Sequence, residues 1–341
     1  MSFQHPLNIL IFGTGAVGST LGWRLAQNAD VRLTAVCRSN YEPVKQHGIH
    51  LTTEMWGNGK YMPYRVVRST REVSDVTFDY VVCANKVTSS DGLSFIKELA
   101  PVVSAMTVLV SAQNGVGVEE PLRLAFRNNI ILSAVCYISC LQPLPGIIQQ
   151  VSNLRPHGFH IGMYHPAEHG NLISKAKLEN FVGLDNKFKQ ISDVAAERWI
   201  KQIFNGAWNP MAAISGLETH QLLDTPYLQM VRHLANEMYD VAVRLGISLS
   251  GNVPVETIEC ARNNPSLVPS MLQDARQKRP MEVETLCGSI CRQADQIGVP
   301  VPTVKLFKGK ISSTVEAVWH RGWGLEQRSI PLLAEAPFIR V

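Results

Sequence analysis

A chain of 341 residues exceeds the roughly 250–300 at which a single hydrophobic core stops growing, so two domains are expected. With 45% apolar and 18% charged residues it can bury a sizeable interior, which excludes a disordered chain. The formal charge of +4, from 32 basic and 28 acidic residues, is too small and too scattered for a nucleic-acid binder and leaves room only for a local cationic pocket.

In chain order, Phe3-Gln4-His5-Pro6 precedes an apolar run, Leu7 to Phe12, that ends in glycine. The run is too short for a membrane span or a secretory core, so no membrane partner and a cytoplasmic location are expected. Its largely apolar character, bounded by glycine, fits a strand buried on both faces of a parallel sheet. Ala16 to Gln27 then reads as a helix packing back on that strand. Further strands are expected at Val31–Val36, Tyr80–Cys83 and Thr107–Val110, with a helix over Ser90–Ala100 between the last two. This alternation predicts an α/β, Rossmann-type doubly wound sheet. Ile130–Ser139 is a further β-rich run, and Gly146–Asn153 with Gly158–Met163 reads as paired strands closing the domain.

From about residue 190 the apolar period changes from two to 3.6, so the second half is expected to be helical. The clearest segment, Pro226–Leu245, has proline in its first turn and Gly246 just past its end. Other helices are expected at Val194–Ile214, Val255–Asn263, Val283–Ile297 and Pro302–Trp319. The expected division is therefore 1–190 for a Rossmann domain and 191–341 for a helical domain with a C-terminal tail. The seven cysteines (Cys37, Cys83, Cys136, Cys140, Cys260, Cys287 and Cys291) show neither CxxC pairs nor histidines at zinc spacing. Reduced thiols and no metal are expected.

Chemistry enters first at Gly13-Thr14-Gly15-Ala16-Val17-Gly18, a GxGxxG that directly follows a strand and opens a helix. Gly13 permits the tight turn, Gly15 lets the backbone approach a pyrophosphate, and Gly18 allows close helix–strand packing. The helix N-terminus offers N–H groups to the anion. An acidic residue for a ribose 2′-hydroxyl is missing after the second strand, where Cys37-Arg38-Ser39-Asn40 stands. Arg38 there favours a 2′-phosphate, hence NADPH; a solvated surface arginine is the ordinary alternative. Two later loops, Ala84-Asn85-Lys86 and Gln113-Asn114-Gly115-Val116-Gly117, follow strands at their carboxyl ends, where open α/β sheets bind ligands. Lys86 can meet phosphate or nicotinamide and Asn114 can orient cofactor or substrate, although both types also serve as plain turn residues.

On the first helix of the second half, Lys201, Asn205 and Asn209 fall at i, i+4 and i+8 and share one face. Trp199, Ile203, Phe204, Trp208 and Met211 flank them. Lysine can donate a proton to a developing alkoxide and stabilise its charge, and the asparagines can hold a substrate polar group. A solvated polar face is the competing reading. Pro210 is expected to kink this helix. Ser270 can offer a hydroxyl. Glu282 precedes a helix, with Glu284 nearby.

Together, the glycine turn, the Gln113-Asn114-Gly115 loop, Lys201…Asn205…Asn209-Pro210 and Ser270-Met271-Leu272-Gln273-Asp274…Pro280-Met281-Glu282 resemble the ketopantoate reductase (2-dehydropantoate 2-reductase) family. The resemblance spans about residues 7–320. It implies a Rossmann domain followed by a helical domain like that of 6-phosphogluconate dehydrogenase, with the active site in the cleft between them, and NADPH-dependent reduction of ketopantoate in pantothenate biosynthesis. It further implies Lys201 as proton donor, Asn205, Asn209 and Ser270 on the substrate, and Lys86, Asn114 and Glu282 near cofactor and reacting centre.

Three departures stand out. Thr219 replaces a substrate-binding asparagine of bacterial members, Glu284-Thr285-Leu286-Cys287-Gly288 departs from a frequent family pattern, and the tail after Trp319 has no family counterpart. Losing one amide can redirect specificity. Reduction of another ketone or an imine therefore stays open, as does a non-catalytic NADPH-binding sensor, and a homodimer is compatible with the sequence.

Overall fold

Ile9, Leu10 and Ile11 have no exposed surface, so β1 (Leu7–Phe12) is buried on both faces, as the apolar run Ile9–Phe12 requires. Its side chains alternate between two cores: Ile9 and Ile11 join one, Leu10 and Phe12 the other. Around it the computed structural model describes residues 5–87, 94–165 and 171–321. These form two compact units, one of residues 5–87 and 94–198 and one from 199 onward. The division falls between Arg198 and Trp199, inside the helix Val194–Ser215.

The first unit is built on an eight-stranded sheet. In chain order its strands are β1, β2 (Val31–Val36), β5 (Arg65–Val67), β6 (Tyr80–Cys83), β7 (Val108–Ser111), β8 (Ile131–Cys136), β11 (Phe159–Met163) and β12 (Phe188–Gln190). The spatial order is β12-β11-β8-β7-β6-β1-β2-β5, and all neighbours are parallel except β8 and β11. Strand order reverses between β1 and β6, the switch point at which doubly wound sheets bind dinucleotides.

A second, four-stranded sheet was not foreseen. It comprises β3 (Ile49–Thr53), β4 (Gly59–Tyr61), β9 (Ile138–Leu144) and β10 (Ile147–Asn153), in the order β4-β3-β10-β9. The expected pairing of Gly146–Asn153 with Gly158–Met163 is overturned, because β10 pairs with β9 and β3, whereas β11 joins the main sheet beside β8. The cause is local: Pro145-Gly146, with Gly146 at φ +78°, makes a tight turn that sets Leu144 opposite Ile147. The run Ile130–Ser139 likewise splits between the two sheets.

The small sheet explains the composition of the helix Ala16–Leu25, which is buried from Gly18 to Trp23. Trp23 shares a core with Ile49, Leu51, Tyr61 and Ile148 of the small sheet, and the Tyr61 hydroxyl donates to the Ser19 carbonyl at 3.1 Å. With both sides covered, a helix has no polar stripe.

The second unit starts with the part of the long helix Val194–Ser215 from Trp199 onward, which runs through Pro210. It is followed by Thr219–Leu223, Leu228–Arg244, Val253–Asn263, Ser270–Arg276, Ser289–Ile297 and Pro302–Arg321. The segment expected as one helix from Val283 begins instead with a π turn, Glu284–Gly288, and ends at Gly298 in the left-handed region, φ +70°. Of the helix expected over Ser90–Ala100, Ser94–Leu99 forms; residues 90–93 and the tail from 322 onward lie outside the described residues.

Candidate active site

The turn after β1 is built for close backbone approach. Gly13 sits at φ +100°, and a Cβ there would lie 2.5 Å from the Asn85 backbone nitrogen. A Cβ on Gly18 would overlap the Gly13 carbonyl oxygen. A Cβ on Gly15 would instead have nothing within 4 Å, so no atom of the described residues fills the space next to it. Helix Ala16–Leu25 starts there with no side-chain cap. Open space over a helix N-terminus fits a dinucleotide pyrophosphate. Thr14 fixes the turn from below, donating to the Val36 carbonyl at 3.0 Å, while Asn40 donates to the Thr14 carbonyl at 2.7 Å. Ala16 and Val17 form the first helical turn.

Arg38 follows β2 and is mostly exposed, paired with Glu98 at 3.0 Å. A pair with side chains 70% and 49% exposed contributes about 0–1 kcal/mol, so a 2′-phosphate can displace the carboxylate. Lys86 is exposed on the loop after β6. That loop is tied to the one after β7: Gln113 Nε2 donates to both the backbone and side-chain oxygens of Asn85, at 3.2 and 3.1 Å. Asn114 follows Gln113 and is half-buried, and Gly115 and Gly117 adopt φ +103° and +73°. The glycine turn, the Asn85 loop and the Gln113–Gly117 loop are therefore gathered at one end of the sheet, beside the switch point.

Sequence reasoning missed what holds this end together. Arg198, in the first turns of helix Val194–Ser215, is buried against the loop after β7. Its guanidinium donates to the carbonyls of Gln113, Gly115 (3.3 Å) and Ser111 (3.0 Å) and to Ser133 Oγ (2.8 Å), and pairs with Glu119 at 2.6 Å. No sequence pattern separates Arg198 or Glu119 from surface charges. One residue earlier, Glu197 lies 2.7 Å from His160 Nδ1. Burial pushes the Glu197 carboxyl up, but hydrogen bonds from His160 and Tyr137 and the nearby charges outweigh it and hold it below the usual range.

In the second unit, Lys201, Asn205 and Asn209 are all buried, which rules out a solvated face for this stripe. The Lys201 ammonium stands 5.2 Å from the Phe204 ring centroid, a cation–π distance. Asn209 Oδ1 accepts from Ser270 Oγ at 3.0 Å and from the Met271 amide at 2.9 Å, and its Nδ2 donates to the Asn205 carbonyl. The Asn209 side chain thereby ties Ser270 to the Asn205 backbone. Glu282 is buried too, and the same long helix reaches the turn after it through Gln202, whose Nε2 donates to the Leu286 carbonyl at 2.7 Å.

Thr219, where an amide was expected, is buried and clamped to Leu267: its N–H donates to the Leu267 carbonyl at 3.1 Å and its Oγ1 accepts from the Leu267 amide at 2.9 Å. Cys287 is buried in the π turn, and burial pushes its thiol up to about 12. Cys37, Cys83, Cys287 and Cys291 are free thiols, and among the described residues no group of histidine, cysteine and carboxylate side chains could hold a metal. No helix among the described residues is long and apolar enough to cross a membrane.

A doubly wound sheet with a glycine turn at its switch point defines a dinucleotide-binding class of fold. The chain belongs to the ketopantoate reductase family: residues 9–165 match the model for ketopantoate reductase PanE/ApbA and residues 193–312 its C-terminal part. It is 26% identical over 324 residues to the 2-dehydropantoate 2-reductase of Mesorhizobium japonicum, covering 87% of this chain and 94% of that one. The crystal structure of the Methylococcus capsulatus 2-dehydropantoate 2-reductase superposes with a TM-score of 0.76 at 27% identity, covering 94% of this chain and 99% of that one. A ternary structure of D-mandelate dehydrogenase with NADH and anilino(oxo)acetate shares the fold at 19% identity, TM-score 0.77, over 92% of this chain and 99% of that one. The family makes this chain an oxidoreductase that acts on the CH–OH group of a small molecule.

Proposed function

We propose that this chain is an NADPH-dependent reductase of a 2-oxo acid, with ketopantoate (2-dehydropantoate), reduced to pantoate, as its substrate. The observation that carries this reading is the buried Lys201 on one helix face with Asn205 and Asn209, the latter holding Ser270. Burying an ammonium and two amides is costly unless they serve a ligand or one another. When bound, NADPH supplies a hydride to the carbonyl carbon. Lys201 holds the proton destined for the carbonyl oxygen, and its charge stabilises the alkoxide as it develops. Asn205, Asn209 and Ser270 orient the substrate's polar groups, with Asn209 also fixing where Ser270 stands. Gly13 to Gly18 receive the pyrophosphate, Arg38 takes the 2′-phosphate, and Lys86, Asn114 and Glu282 lie toward cofactor and reacting centre. The names of the curated relatives support the substrate, and cytoplasmic pantothenate biosynthesis is the corresponding role.

A panel of 2-oxo acids assayed by NADPH oxidation tests the substrate. Ketopantoate should turn over with the highest kcat/KM of the panel. A different carbonyl turning over in its place would support the second reading, a family member acting on another ketone or an imine, which Thr219 favours because its hydroxyl is engaged with the Leu267 backbone. For the cofactor, Arg38→Ala should weaken NADPH by about 30-fold, the worth of one charge-assisted contact, and leave NADH nearly unchanged. Equal losses for the two would remove Arg38 from the 2′-phosphate site.

A further inference from the structure

The guanidinium of Arg198 meets the carbonyls of Ser111, Gln113 and Gly115, three acceptors within five residues at the end of β7 and the start of the loop after it. Placing the Gln113 and Gly115 carbonyls on one cation requires a sharply folded backbone between them, and Gly115 at φ +103° provides it. In a planar trans peptide the N–H points opposite to the C=O. Drawing the Gln113 and Gly115 carbonyls onto Arg198 therefore turns the N–H groups of Asn114 and Val116 away from it. The guanidinium is itself held by Glu119 and Ser133, and Ser133 donates to the same Glu119 oxygen at 2.6 Å, so the clamp is a closed buried network. From the clamped loop, the Gln113 side chain continues to Asn85, whose backbone lies against Gly13.

We propose that Arg198 is a positioning residue for the nicotinamide half of the cofactor, acting through the loop Gln113–Gly117; this rests on the NADPH reading above. The sheet order supports the assignment to that half. The pyrophosphate turn and Arg38 follow β1 and β2, whereas the clamped loop follows β7, across the switch point. Lysine cannot replace this arginine, because a single ammonium has no planar fork with which to reach carbonyls, hydroxyl and carboxylate together.

The test compares the parent with Arg198→Lys, which keeps a charge beside buried Glu119, and with Ser133→Ala, which removes one support of the guanidinium. Titration calorimetry is run with NADPH and with 2′-phospho-ADP-ribose, which lacks nicotinamide, and amide hydrogen exchange is followed in the ligand-free proteins. Arg198→Lys should bind 2′-phospho-ADP-ribose within about twofold of the parent but NADPH about tenfold more weakly. Its Asn114–Gly117 amides should exchange at least about tenfold faster. Ser133→Ala should shift both readouts in the same direction by less, and it decides the matter if Arg198→Lys does not fold.

Parental NADPH affinity and parental loop exchange in the variant that folds would overturn the proposal. So would equal losses for the two ligands, the mark of general loosening. If the parent binds neither ligand, the NADPH reading itself fails, while the exchange data still report whether Arg198 holds the loop.

Discussion

Lys201→Ala should bind NADPH within about twofold of the parent and lose about 10²- to 10⁴-fold in kcat, the range for removing a positioned general acid. The reasoning is positional. Lys201 lies in the second unit, whereas the glycine turn and the loops after β2, β6 and β7 belong to the first, so removing the ammonium leaves every proposed nucleotide contact of that unit in place. The loss should appear in kcat, because an interaction made only as the oxygen acquires charge lowers kcat and kcat/KM together. Single-turnover mixing of NADPH-loaded enzyme with substrate separates this from slow product release. A variant that reduces ketopantoate as fast as the parent would leave Lys201 without its proposed role, and the sensor reading would gain if the parent also shows no turnover.

The second large effect is a contrast within the glycine turn. Gly18→Ala should destabilise the apo protein by about 1–3 kcal/mol or more, because its new methyl overlaps the Gly13 carbonyl oxygen, a backbone atom that cannot swing aside. Gly15→Ala should leave the apo melting temperature unchanged, since its Cβ has nothing within 4 Å and Gly15 already has the extended φ of −76°. The same variant should nevertheless lose NADPH binding by about 100-fold or more, because the methyl enters the space proposed for the pyrophosphate. Thermal melts with and without NADPH read both outcomes, as ligand stabilisation scales with the logarithm of affinity. Unimpaired NADPH stabilisation in Gly15→Ala would move the pyrophosphate elsewhere.

The parts of the site legible in sequence are those with a fixed local spacing. A glycine turn between a buried strand and a helix is a short-range pattern, and Lys201, Asn205 and Asn209 follow helical periodicity, so both can be read without knowing what lies beside them. Periodicity alone could not say whether that stripe faced water or protein; burial of all three side chains decided it. Thr219 shows the converse. Its identity could be noted, but its clamp on Leu267 joins residues 48 apart in sequence and belongs to the fold.

What the sequence determined by itself is the position of β1, β2, β6 and β7 and of the helix after β1, the place of the glycine turn and the helical character of the second half, because each follows from local period and turn chemistry; the short strands β5 and β12 carry too little period to be read. Only the tertiary structure decided which strands pair, and so revealed the second sheet that covers helix Ala16–Leu25. It alone found Arg198 beneath the Gln113–Gly117 loop, 85 residues from the Gln113 carbonyl it binds. The physical reason is common to both. Sheet pairing and buried charge networks are contacts between distant segments, and an arginine or a short strand carries no mark of its partner until the chain has folded around it.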